Sequence, residues 1–508
     1  MKVISLAIFI AAFFLLRPYA LQDNGMWYAG DDYHYFAESS ALAFGQYPSY
    51  QHEFLLPHVR TPLTSVGPGI LAAPFVFVFS FFDRWEGSTI ADHRTYDNVE
   101  RSWSQFGFIV SSVFYLSLGC LLLYVTCLEF GSSWEASWAV IFMVICQGMP
   151  LYSFRRPIFS HATEFFIQSL MIYLFLRDSK LNGQFINHWL KFAGIGALVA
   201  MLFLVRYNNF AIAITWLLLF LAPMISKNLQ KLLSLAAALL AFFFVTFFFK
   251  VWPELYNHFH AYKDPLSFIR VSTPAGEILK RVVHIFFGLD WGFLWTAPFL
   301  ILGVWGLIKY HITIKRKLCL IALPLLINFV VIVLFGTQGG WYGYRYFIAS
   351  AFPVFVIPLT VLLGHCRQHY GQKILWIFIL ISLFPIFSMW CFEGNATTLT
   401  LHLIPQYFGR VDWSNNTYQI SVWRTLMSIH QALLVLFKGG PYYILYLLSL
   451  TKILPQHVVH SMEFSLKFPY YEWKILFRVL VIYLVPWTVC AKPVVDFFSR
   501  TEPSILKE

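Results

Sequence analysis

Asp31 and Asp32 stand side by side in the run Gly30-Asp31-Asp32-Tyr33-His34-Tyr35-Phe36-Ala37-Glu38. Adjacent carboxylates at a helix start can do either of two things. As an N-cap and a first-turn acid they satisfy free N–H groups and complement the helix dipole. Offered a hydroxyl, one of them can instead take its proton, because a rigid helix start holds the carboxylate at hydrogen-bonding distance. His34, Tyr35 and the aromatic residues around them suit the binding of a sugar beside such a base. The pattern predicts a helix over 33–44 that stops at Gly45.

A second cluster reads Gln338-Gly339-Gly340-Trp341-Tyr342-Gly343-Tyr344-Arg345-Tyr346. Its three glycines let a backbone come close to a ligand, and Arg345 offers a planar, permanently charged fork that fits a phosphate. Tyr342 and Tyr344 would flank that ligand. An aromatic belt with an arginine snorkelling to lipid headgroups uses the same residue types, but belts need no glycines. A third group is dispersed: Arg155-Arg156-Pro157, then Ser160-His161, then Arg206-Tyr207-Asn208-Asn209. Arg156 and Arg206 are candidates for an anionic partner such as a lipid phosphate or diphosphate, with plain headgroup contact as the alternative. His161 fits a hydrogen-bonded interface residue more readily than a ligand or a base. Asp290-Trp291-Gly292-Phe293 and Tyr262-Lys263-Asp264-Pro265 suit loop-to-helix junctions or the edges of a groove.

The elements that must position these residues are membrane helices. Of the 508 residues 58% are hydrophobic and 12% charged, and the mean hydropathy of +0.64 excludes a string of soluble domains. Apolar runs near the length of a bilayer core lie at 3–21, 106–128, 136–152, 159–177, 192–205, 207–224, 231–249, 291–308, 318–336, 346–364 and 373–391, with two or three more within 425–454 and 474–490. Lipid offers no partners to peptide groups and barrel-type alternation is missing, so the expected fold is an all-α polytopic membrane protein of roughly 11–14 spans. The first run reads as an uncleaved span.

The formal charge of +11 comes from 36 basic and 25 acidic residues, but the basic ones sit mostly in short loops, where they set topology. Nothing resembles a nucleic-acid module. Lys309 with Lys315-Arg316-Lys317, Arg177 with Lys180 and Lys191, Lys227 with Lys231, and Arg367 with Lys373 fall on one side when the spans alternate, and that side is assigned to the cytoplasm. Residues 22–105, 250–290, 337–345 and 392–424 then lie outside, and all three clusters share the outer face. The apolar segment 66–82 opens with Gly67-Pro68-Gly69 and carries Pro74, so it is expected to be re-entrant or to lie at the interface. The seven cysteines are scattered, with no metal-ligand spacing and no disulfide framework. No cofactor is indicated, and the need for a divalent metal is left open.

Taken together these stretches resemble the polytopic glycosyltransferases of the GT-C superfamily, of the protein mannosyltransferase and aminoarabinose transferase type that use polyprenyl-phosphate sugars. Gly30-Asp31-Asp32-Tyr33-His34-Tyr35 is similar to that group's first-loop acidic motif, and Tyr342-Gly343-Tyr344-Arg345-Tyr346 with Ala351-Phe352-Pro353 is similar to a Tyr-Gly-x-Arg-Tyr run and its downstream proline. Phe159-Ser160-His161-Ala162 and the helix start Gly292-Phe293-Leu294-Trp295-Thr296-Ala297-Pro298 are fainter echoes. The resemblance covers residues 1–391, which would form the catalytic domain, and leaves 392–508 unmatched. It implies juxtamembrane helices in the first outer loop. Asp31 would be the general base for an acceptor hydroxyl and Asp32, where many relatives have Glu, would position it or the sugar. Arg345, with Arg206 or Arg156, would hold the donor's lipid phosphate. The implied partners are a polyprenyl-phosphate sugar, a glycan, lipid or protein acceptor, and membrane lipids, at the periplasmic face of a bacterial inner membrane. Two other readings stand beside this one: a transporter or lipid flippase, which wants ionisable groups deep in its spans, and a noncatalytic subunit of polysaccharide assembly.

Overall fold

The computed structural model describes residues 31–49, 65–87, 103–149, 152–153, 160–177, 188–222, 229–256, 275–287, 293–310, 316–335, 345–371, 373–382 and 385. Among the described residues every regular element is a helix, as expected for an apolar chain that must satisfy its peptide groups internally. In chain order they are α1 Asp31–Ala43, α2 Gly67–Trp85, α3 Trp103–Cys127, α4 Ser133–Val140, α5 His161–Arg177, α6 His188–Val205, α7 Phe210–Leu221 and α8 Leu229–Thr246. There follow α9 Trp252–Tyr256, α10 Ala275–Phe287, α11 Phe293–Thr296, α12 Pro298–Tyr310, α13 Arg316–Phe335, α14 Arg345–Tyr370 and α15 Lys373–Ser382. The run at 3–21 and everything in 392–508 lie outside the described residues.

The expected spans appear as helices with informative differences. The run at 136–152 is α-helical only to Val140 and widens into a π-helical turn at Ile141–Ile145. The run at 291–308 divides into α11 and α12 at Pro298, which has no N–H to continue the first helix and is well suited to begin the second. The run at 231–249 extends instead: α8 continues through a π-turn into α9, giving 28 residues from Leu229 to Tyr256. This stretch, Trp103–Cys127 and Phe347–Tyr370 are long and apolar enough to cross a bilayer.

α14 is the axis of the bundle. It packs against α3, α4, α5, α12 and α13, and its Phe352, Val356, Leu359 and Leu363 are buried. α8 is peripheral, with Leu240, Phe243 and Phe244, and Phe247 just beyond its end, exposed where lipid would cover them. One end of the bundle is fixed by Glu135. Its carboxylate accepts the Ser132 N–H at 2.9 Å, closing the N-terminus of α4, and Arg367 Nη1 at 2.9 Å, while the Arg367 guanidinium lies 4.7 Å above the Trp134 ring. This is the end that carries the basic residues Arg367 and Lys373. From Arg367 back to Ser350 on α14 is 17 residues, about 25 Å of helix, against about 30 Å for a hydrocarbon core. Ser350 therefore lies close to the opposite boundary.

α2 runs antiparallel to the first half of α3. The Tyr115 hydroxyl donates to the Leu71 carbonyl at 3.0 Å, Phe79 meets Phe106, and Asp83 closes the far end. There the buried Asp83 carboxylate accepts the N–H groups of Trp103 at 2.6 Å and Ser104 at 2.9 Å, and the Ser104 hydroxyl at 2.5 Å. One acid thus satisfies free N–H groups at the start of α3 and joins it to α2. The segment expected at 66–82 is one unbroken helix in which Pro74 faces outward, on the same side as the exposed Phe77, Val78, Phe81 and Trp85. Replacing Asp83 by Ala should lower stability by about 1–3 kcal/mol, since it orphans buried N–H donors at a helix start. Thermal unfolding of the purified protein in detergent checks this, and an unchanged midpoint would remove Asp83 from the account.

Candidate functional site

α1, described from Asp31, includes both acids as well as the expected 33–43. It ends as expected: Phe44 N–H bonds to Ser40 O at 2.9 Å, Gln46 N–H to Ala41 O at 2.8 Å, and Gly45 takes the left-handed conformation (φ 70°) that a residue with a Cβ resists. The Tyr47 hydroxyl then donates to the Phe248 carbonyl where α8 gives way to α9, and its ring packs against Phe248, Phe249 and Trp252. The turn after the acidic helix is therefore anchored on the same end of the bundle as Ser350.

Tyr35, one turn beyond Asp31, is buried, with its hydroxyl 3.4 Å from that of Ser65. Ser65 in turn donates to the Val205 carbonyl at 2.7 Å. Val205 is the last residue of α6 and precedes Arg206, so the acidic helix is tied to the turn that carries this arginine.

Arg206 is buried with an unexpected partner. Its Nη1 donates to Glu164 Oε2 at 3.0 Å, and its Nη2 lies 3.3 Å from His161 Nε2. The other carboxylate oxygen of Glu164 accepts the Ser350 hydroxyl at 2.5 Å. The His161 ring packs on Tyr152, centroids 4.2 Å apart. His161 is thus a buried hydrogen-bonding member of this cluster. Ser350 lies five residues, about 7 Å, along α14 from Arg345. Lys250, salt-bridged to Glu254 at 3.0 Å, rests over the Tyr207 ring at 4.9 Å and adds a further cation to this end.

The contacts thus bring the starts of α1, α5, α7 and α14 to one end of the bundle, opposite Glu135 and Arg367. Asp31, Asp32, His34 and Arg345 are placed here by backbone, and their side chains lie outside the described residues. Arg156, Tyr342 and Tyr344 lie wholly outside them. Sequence reasoning passed over Glu164 and Ser350. The available signal was an acid three residues after His161, within an otherwise apolar span. Sequence reasoning also assigned no role to Glu38, which proves buried.

Arg206 is paired, so its charge is largely spent on a buried carboxylate. Removing one partner of a buried ion pair costs about 3–5 kcal/mol because the other is left charged and dry. Glu164→Leu should therefore destabilise the protein strongly, and adding Arg206→Met should restore much of the loss. Denaturation midpoints of the two single variants and the double variant decide this: losses that simply add would refute the coupling.

No family model matches the sequence, and no curated protein matches it. Among solved structures the chain is similar to the crystal structure of ArnT from Cupriavidus metallidurans in the apo state. The identity is 13%, the match covers 95% of this chain and 77% of that one, and the TM-score is 0.50. At that identity the likeness concerns the fold alone, that of a helical integral membrane protein.

Proposed function

We propose that this chain is a membrane glycosyltransferase that moves a sugar from a polyprenyl-phosphate donor to an acceptor hydroxyl, at the bilayer face opposite its basic loops. The observation that carries this reading is the chain of contacts Tyr35–Ser65–Val205 followed by Arg206–Glu164–Ser350, which gathers the starts of α1 and α14 at one end of the bundle. The likeness of its fold to that of ArnT supports it.

In the proposed reaction Asp31 accepts the proton of the acceptor hydroxyl, whose oxygen attacks the anomeric carbon of the donor. The bond from that carbon to the phosphate oxygen breaks, the phosphate leaves with the electron pair, and the anomeric configuration inverts because a single displacement has occurred. Asp32 orients the acceptor or the sugar, with His34 and Tyr35 beside it. Arg345 stabilises the departing phosphate, helped by Tyr342 and Tyr344 and, from the adjoining loops, Arg156. Arg206 and His161 act chiefly by holding α5, α7 and α14 together at this level. The depth of the charged groups favours a transferase over a carrier: the Glu164–Arg206 pair lies about 25 Å from Arg367, near one boundary of the core rather than midway.

The test is transfer from synthetic polyprenyl-phosphate sugars by the purified protein. Asp31→Asn should lower the rate by about 10²–10⁴, the usual worth of a positioned base. Arg345→Ala should lower it by about 10²–10³, as for the loss of one preorganised charge-stabilising donor. Full transfer by Asp31→Asn would end the assignment of the base.

A further inference from the structure

Glu38 is the most anomalous ionisable group among the described residues outside the Glu164 cluster. It is 1% exposed, and neither carboxylate oxygen has a hydrogen-bond partner. It lies seven residues after Asp31 and three after Tyr35, so all three occupy one stripe of α1. That stripe presses on α2 at Gly69, where an added Cβ would come within 2.6 Å of Glu38 Cβ and 2.8 Å of the Tyr35 carbonyl. A glycine is needed there because α1 and α2 nearly touch, and the Glu38 side chain is enclosed by that contact.

Among the described residues no cation compensates it. α2 carries only Asp83 and Arg84, about 20 Å further along the helix, and Asp83 is committed to the start of α3. α3 has no charged residue, and its Tyr115 hydroxyl is bonded to Leu71. Lys250 of the α8 extension is paired with Glu254, and Arg206 with Glu164. Tyr47, in the turn after α1, is near enough that burial first and the Glu38 charge second push its phenol's ionisation upward. On α1 itself the other titratable groups are Asp31, Asp32, Tyr33, His34 and Tyr35. Burial alone pushes the Glu38 carboxyl up to about 8. An unpaired carboxylate in so dry a place is costly, whereas the neutral acid is tolerated.

We propose that Glu38 is a positioning residue for the Asp31–Asp32 helix start: it seats α1 on α2 as the uncharged acid, and loss of its proton loosens that seat and displaces the two acids. The catalytic consequence rests on the reading of Asp31 as base, but the seating itself does not. The direction in pH follows from linkage. Undocked, the carboxyl ionises near its ordinary value of 4.5, while docked it holds its proton to about 8. Docking is therefore fully favoured below the lower value, weakens as pH rises between the two, and is constant above the upper one. Within that window the opening equilibrium should grow about tenfold per pH unit.

The test uses the full-length protein with Ser40→Cys, a near-isosteric change at a position that is 0% exposed on α1. Alkylation of the introduced thiol by iodoacetamide is followed by mass spectrometry of the peptide that carries it, and each rate is divided by that of the denatured chain at the same pH. Between about pH 6 and pH 8 the normalised rate should rise by at least about tenfold, and in Ser40→Cys/Glu38→Gln it should stay flat. Equal slopes in the two proteins would overturn the proposal. Should the double variant fail to fold, hydrogen exchange of amides 35–43 in the unmodified protein serves instead: protection falling over the same interval supports the idea, and protection independent of pH overturns it. Transfer assays then separate the two readings. If no protein transfers sugar, the base assignment fails while alkylation still reports on the seat. If the seat behaves as expected but Glu38→Gln loses activity toward high pH as steeply as its parent, the positioning role is wrong.

Discussion

A carboxylate and a guanidinium that have both left water must be paired, and in this protein they draw three parts of the chain to one level. Glu164 on α5 takes Arg206 from the turn after α6 and Ser350 from α14, with His161 one turn away along α5. Apolar side chains alone leave a helix free to slide or rotate against its neighbours at small cost, because one hydrocarbon contact replaces another and lipid is as apolar as the core. The ion pair has no such alternative position. It sets the level of α14, and the first turn of that helix, where Arg345 lies, emerges at a height fixed from below. Arg206 in turn follows Val205, whose carbonyl holds Ser65 and through it Tyr35. The acidic helix and the arginine helix are thus referred to the same buried carboxylate, although 314 positions separate Asp31 from Arg345.

The opposite end is built from the same kind of part. Glu135 closes the start of α4 and receives Arg367 from the last turns of α14. Two carboxylates therefore clamp α14 near its ends, with an apolar shaft between them. The clamps differ in exposure: the Arg367 side chain is 40% exposed and that of Arg206 10%. The exposed pair is screened and contributes modestly, whereas the dry pair is hard to break. The drier of the two pairs is at the end where the acidic helix is anchored.

What the sequence reveals about this architecture follows from the range of the interactions involved. Spans are written locally, as runs of apolar residues, and among the described residues helices appear where the runs lie. The proline that divides α11 from α12 is visible for the same reason, as is Gly45 at the end of α1. Glu164 was harder to see, because its meaning depends on partners 42 and 186 positions away and nothing near it announces them. Arg206 was noticed as a cation out of place, and its burial against an acid could not be inferred without Glu164. Glu38 stood inside the very run that drew attention to Asp31, but a glutamate on a short helix ordinarily faces water. Only the close approach of Gly69 shows that it faces α2.

On the proposed reading the charge states at this end form a consistent set. The donor is an anion, and every uncompensated carboxylate near its phosphate opposes binding, the more so in a low-dielectric setting. Five acids lie at this level: Asp31, Asp32, Glu38, Glu164 and Glu254. The chemistry asks for Asp31, and with it Asp32, to be charged. Glu164 is cancelled by Arg206, and Glu38 is kept neutral by burial when α1 is seated. With Glu254 cancelled by Lys250, the donor would then face two negative charges rather than five, with Arg345 opposite them. An ionised Glu38 would harm the site twice, by adding a repulsive charge and by loosening the helix that carries the base. Burying that residue without a partner, wasteful as a contribution to stability, makes the charge of the site depend on the acidic helix being in place.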